Sequence, residues 1–111
     1  MTIQQLIETN LFHIVWQGED TSTVITKVFC CDLLSIAMGR APEGGAWVTV
    51  MGNMNTLAVA SLTETACIIL AENAQLDASA LQKAQEQGIT VFQTEQAIFE
   101  AALQIHSALQ A

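Results

Sequence analysis

The chain has 111 residues, which suits one domain with a single core, and its 51% hydrophobic and 13% charged content lies far from the disordered regime. Three basic residues, Lys27, Arg40 and Lys83, oppose eleven acidic ones, and a net charge of −8 would repel nucleic acid and anionic membrane surfaces. No apolar run approaches the roughly 20 residues of a membrane span, and no basic segment leads into a signal-like core, so a cytoplasmic protein is expected.

Residues 2–10, TIQQLIETN, place Ile3, Leu6 and Ile7 at helical spacing with Asn10 as the stop, and LFHIVWQ then reads as a first strand ended by Gly18. The polar loop GEDTST leads into the β-branched run VITKVFC, as a hairpin or edge strand joining the core. Asp32 precedes LLSIAMGRA, where its carboxylate is expected to accept from the free N–H groups of a first helical turn. APEGGA is a turn, and AWVTVM is the next strand. Asn53 or Asn55 is expected to cap TLAVASLTE, whose unbroken apolar character predicts a helix packed tightly on a sheet. ACIILA follows as a strand. Asp77 opens ASALQKAQEQ, with Leu81 and Ala84 facing inward and Gly88 as the stop. After the strand ITVFQ, Thr94 leads into a terminal helix with a stripe of Ile98, Ala102, Ile105 and Leu109.

Strands that alternate with helices require crossover connections, so residues 1–111 are expected to form one small α/β domain with a mostly parallel sheet and crossover helices on its faces. In such a sheet ligands favour the carboxyl ends of the strands. Four segments reach that edge: Cys31-Asp32, Gly52 to Asn55, Glu72-Asn73 and Thr94-Glu95. Gly52 and the helix N-termini offer backbone N–H groups there, and Asn53, Asn55 and Thr94 offer neutral hydrogen bonds. Asp32, Gly52, Asn53, Asn55 and Thr94 are therefore the candidate ligand-binding residues. The competing reading makes Asp32, Asn55 and Thr94 helix caps and Gly52 a turn residue.

No catalytic set emerges. Ser35 and Ser61 lie in predicted helices outside any nucleophile elbow, and His13 and His106 share no zinc spacing with the cysteines. No metal and no cofactor is expected. Cys30, Cys31 and Cys67 are an odd number that includes a vicinal pair, which fits reduced, buried structural thiols. Trp16 and Trp47 read as core or subunit-contact aromatics. So apolar a composition implies a covered surface. A homo-oligomer, most simply a dimer, is expected, with Trp16, Val28 and the Ala-rich face of the last helix as the apolar features a domain this small leaves uncovered.

The DLLS that follows a strand, the AWVTV strand, the NTLAVASL helix and the ending ALQKAQEQGITVFQT together resemble the DRTGG domain family over nearly the whole chain. The likeness is greatest to its short stand-alone members. The resemblance implies a fold similar to the N-terminal domain of HPr kinase/phosphorylase, and a serine-kinase activity has been attached to such proteins on that ground. The kinase chemistry of those enzymes belongs to a separate P-loop domain, and no G-x-x-x-x-G-K-[ST] occurs here. The name-giving motif is also replaced by Gly52-Asn53-Met54-Asn55, which removes a local cation. Family modules of this kind accompany CBS domains in regulated pyrophosphatases. The resemblance thus implies a regulatory or scaffolding module acting on an unidentified protein partner, or a sensor of an adenine nucleotide, ahead of a phosphotransferase.

Overall fold

A computed structural model describes all residues from Met1 to Ala111. The elements in chain order are α1 (Ile3–Glu8), β1 (His13–Trp16), β2 (Lys27–Cys30), α2 (Leu34–Arg40), β3 (Gly45–Thr49), α3 (Met54–Leu62), β4 (Cys67–Leu70), α4 (Ala78–Gln87), β5 (Thr90–Gln93) and α5 (Ile98–Gln110). The five strands form one sheet in the order β1-β5-β4-β3-β2, and all neighbours are parallel except β1, which runs antiparallel to β5. The expected mostly parallel α/β fold is therefore the observed one.

The three central strands are buried on both faces, which explains their continuous apolar runs. Because β2, β3, β4 and β5 follow one another in space as in sequence, right-handed crossovers put α2, α3 and α4 on the same face. Ala37, Leu57, Ala60, Ala80 and Ala84 from those helices pack there against Trp47, Ile68, Leu70 and Val91. Helix α3 lies between α2 and α4, so its sides as well as its base are covered, and its lack of a polar stripe follows. The opposite face carries Val48, Ile69 and Phe92, closed over by Ile3 and Leu6 of α1 and by Ala101 and Ile105 of α5.

Several local expectations are corrected. Of the two expectations for VITKVFC the edge strand is the observed one and the hairpin is not, since β1 and β2 occupy opposite edges of the sheet. In α4 the fully buried positions are Ala80 and Ala84, and Leu81 is only half-buried. Helix α1 begins with a capping box in which the Thr2 hydroxyl accepts from the Gln5 amide and the Gln5 side chain accepts from the Thr2 amide. The stops at Asn10, with φ of 57°, and at Gly88, with φ of 68°, are left-handed as the sequence suggested.

Candidate functional site

The carboxyl ends of the parallel strands gather all four expected segments on one edge of the domain. What the residues do there differs from either simple reading. Asp32 does not cap α2: the N-cap is Leu33, with no side-chain hydrogen bond. The Asp32 Oδ1 instead accepts from the Thr49 hydroxyl at 2.7 Å and from the Val50 amide at 3.0 Å, so it clamps the end of β2 to the end of β3. The extended backbone at Leu33 carries the carboxylate sideways across the sheet edge rather than over its own helix.

At the end of β3, Asn53 is the N-cap of α3. Its Oδ1 accepts from the Thr56 amide at 3.0 Å and from the Thr56 hydroxyl at 3.2 Å. Asn55 is no cap; it lies in the first turn of α3 with its side chain exposed. Gly52 is more than a turn residue. A Cβ at this position would collide with the Gln75 carbonyl, and the Gly52 carbonyl accepts from the Asp77 amide at 3.0 Å. The backbone of the β3–α3 loop thus packs directly on the β4–α4 loop, an approach open only to glycine.

Thr94, expected as a cap, is not one; α5 begins four residues later, at Ile98, behind the N-cap Ala97, which has no side-chain capping bond. The buried Thr94 is held by the backbone: its amide donates to Leu70 at 2.9 Å, its carbonyl accepts from Asn73 at 2.8 Å, and its hydroxyl accepts from the Gln96 amide at 3.2 Å. The Glu72 amide donates to the Gln96 carbonyl at 2.8 Å, and the Gln93 side chain donates to Ala74 at 2.7 Å. Glu72 and Asn73 both take left-handed conformations to make this closure.

These loops stitch the strand ends together. With the strand order running in one direction through the parallel part, the sheet has no reversal of the kind that opens a ligand crevice. None of the four concavities on the surface is lined by Asp32, Gly52, Asn53, Asn55 or Thr94. The most apolar of them, a groove of about 260 Å³ between β2 and α5, is lined by Val28, Phe99, Ala102, Leu103 and His106. Val28 and, on the Ala-rich face of α5, Ala102 belong to the apolar features that the sequence leaves uncovered. Phe99 and Leu103 lie off the apolar stripe of Ile98, Ala102, Ile105 and Leu109, and only the path of α5 over the sheet brings them to the groove.

No three His, Cys, Asp or Glu side chains come together as a metal-ligand set. Cys67 is fully buried, as expected, and burial pushes its thiol up to about 12. Cys30 corrects the expectation of a buried thiol: it lies on the exposed edge strand, where partial desolvation, and then the Asp32 charge, hold its pKa above the ordinary value. Trp47 is wholly buried, with its indole N–H donating to the Cys31 carbonyl at 2.9 Å, whereas Trp16 is half-buried at the other edge.

Residues 13–108 match the model of the DRTGG domain, and the chain belongs to that family. Among solved structures it is similar to the CBS and DRTGG domains of the regulatory region of Clostridium perfringens pyrophosphatase, determined with its activator, diadenosine tetraphosphate. The TM-score is 0.74 at 14% identity, over 92% of this chain and 44% of the pyrophosphatase chain. The chain therefore spans less than half of that regulatory region, and the likeness is one of fold. No curated protein matches it in sequence.

Proposed function

We propose that this chain is a non-catalytic regulatory or scaffolding module, working in the cytoplasm, which self-associates and modulates a metabolic or redox protein partner. The observation that carries this reading is the apolar margin around β2: Leu33 is 58% exposed, Phe99 69%, Leu103 48% and Ile36 47%, on a domain with only three cations and a net charge of −8. Large side chains left in water at one margin are surface for a protein, and the strand-end polar groups beside it are already engaged with one another. Sedimentation velocity at micromolar concentration tests the reading. A species of at least twice 11.9 kDa is expected, and a strict monomer would overturn self-association.

A second reading is favoured by the activator bound to the pyrophosphatase regulatory region: an adenine nucleotide that engages the strand-end loops through Gly52, Asn53, Asn55 and Thr94, beside Asp32. Asn55 is the member of this group whose side chain stands exposed with no partner inside the domain. The acidic surface would require a polyphosphate to arrive with magnesium. A thermal-shift series with diadenosine tetraphosphate and magnesium decides it, because a ligand at 100 times its dissociation constant adds about 2.7 kcal/mol. A saturable rise in melting temperature that Asn55→Ala abolishes supports a sensor, and a flat series sinks that reading.

A further inference from the structure

We propose that two copies of this chain join edge to edge through β2, paired antiparallel about a two-fold axis at Val28, so that one sheet runs through both. The proposal rests on the self-association reading and assigns its surface.

The backbone sets the register. β2 pairs with β3 on one side only and ends the sheet on the other. The Thr26 amide donates to Gly44 at 2.8 Å, so Thr26 turns toward β3. Alternation then turns Val28 and Cys30 the same way and leaves the N–H and C=O groups of Lys27 and Phe29 pointing outward. A two-fold operation pairs outward groups with outward groups: Lys27 of one copy exchanges two hydrogen bonds with Phe29 of the other, and Val28 opposes Val28. The opposite edge of the sheet is unsuited to this, because β1 is bulged between Ile14 and Trp16. β2 has no bulge and no proline.

The side chains agree on both faces. On the α5 face Val28 shares its groove with Phe99 and Leu103, which would meet their counterparts across the axis. On the other face Ala37 points into the sheet, and in a right-handed crossover the flank of α2 that carries Leu33, Ile36 and Arg40 turns away from α3 toward the open edge. Charge then selects the face. Two copies at −8 repel, and two of the three cations, Lys27 and Arg40, stand at this margin. In the register above, Lys27 lies opposite the Phe29 ring of the second copy, a cation–π arrangement. Self-complementarity of this kind defines an isologous dimer rather than a site for an unrelated chain.

Three measurements on the full chain test it together. Sedimentation of the unmodified protein should give a dimer. Phe99→Asp, at an exposed position where folding is undisturbed, should weaken the dimer at least tenfold, whereas Leu62→Asp, exposed on α3, should leave it unchanged. Val28→Cys in a Cys30→Ser, Cys31→Ser background should oxidise to a covalent dimer, because non-hydrogen-bonded antiparallel neighbours stand about 4.5 Å apart at Cα, within the roughly 4.4–6.8 Å that a disulfide spans. A dimer that resists Phe99→Asp and gives no Val28→Cys cross-link overturns the interface while self-association stands. A monomeric unmodified protein overturns both.

Discussion

The hydroxyl of Thr49 donates a 2.7 Å hydrogen bond to Oδ1 of Asp32, joining the last residue of β3 to the loop that follows β2. Thr49 is fully buried, so this carboxylate is the group that satisfies its proton. Removing it leaves a buried donor unpaired, along with the Val50 amide that shares the same oxygen. Asp32→Ala is expected to cost about 1–3 kcal/mol, and Asp32→Asn, which keeps an acceptor, less. The double variant Asp32→Ala with Thr49→Val should recover part of the loss. Urea unfolding of the unmodified protein, Asp32→Ala, Thr49→Val and the double variant checks the coupling; additive costs would show that the two residues do not act as a pair.

Asn53 and Asn55 separate a cap from a surface residue. Asn53 holds the Thr56 amide and hydroxyl at the start of α3, and Asn53→Ala is expected to lower stability by about 1 kcal/mol. Asn55→Ala replaces an exposed residue by a better helix former and should be neutral or slightly stabilising. Thermal unfolding of both variants without ligand decides the assignment, and the reverse order would restore Asn55 as the cap. Asn55→Ala is consequently the cleaner probe of nucleotide binding, since its effect there is not confounded by unfolding.

Much of the fold was legible because its signals are local. The apolar runs of β3, β4 and β5, the cap at Asp77 and the stop at Gly88 each announce themselves within a few residues. The strand-end residues were legible in position but not in role. Asp32 stands where a cap belongs, yet its partner, Thr49, is seventeen residues away on the next strand, and nothing in the local sequence shows that Leu33 is extended. Thr94 fails as a cap for the same reason: the Asn73 and Leu70 groups that engage it arrive from another loop and another strand. The margin around β2 was half legible, since Val28 carried an apolar signal while the place of Phe99 depended on where α5 crosses the sheet.

Gly52→Ala tests the closure of the strand ends. The added methyl group would meet the Gln75 carbonyl, a backbone atom that cannot swing aside, so two loops must part and the Asp77 amide must give up its bond to Gly52. A loss of about 1–3 kcal/mol is expected, the scale of overpacking a well-filled site. Hydrogen exchange should show the Asp77 amide losing protection first. An unchanged melting temperature would mean that the two loops are not in rigid contact.

Cys67 should make stability fall in alkali. Its thiol lies wholly buried among the residues of β3, β4 and β5, and desolvation raises its pKa from an ordinary value of 9.0 to about 12. Below pH about 9 folded and unfolded chains both carry the protonated thiol, and this group contributes its full share of stability. Between pH 9 and 12 the unfolded chain releases the proton and the folded chain does not, so the unfolded state binds fewer protons and stability declines by up to ~1.4 kcal/mol per pH unit. Cys30, raised in the same direction, adds to the decline from a more exposed position. Denaturant unfolding at pH 8 and pH 10 should therefore differ, and Cys67→Ala, though less stable at pH 8 through the lost sulfur contacts, should show a smaller difference between the two. If the variant and the unmodified protein lose the same stability over that interval, the thiol is not the group that titrates.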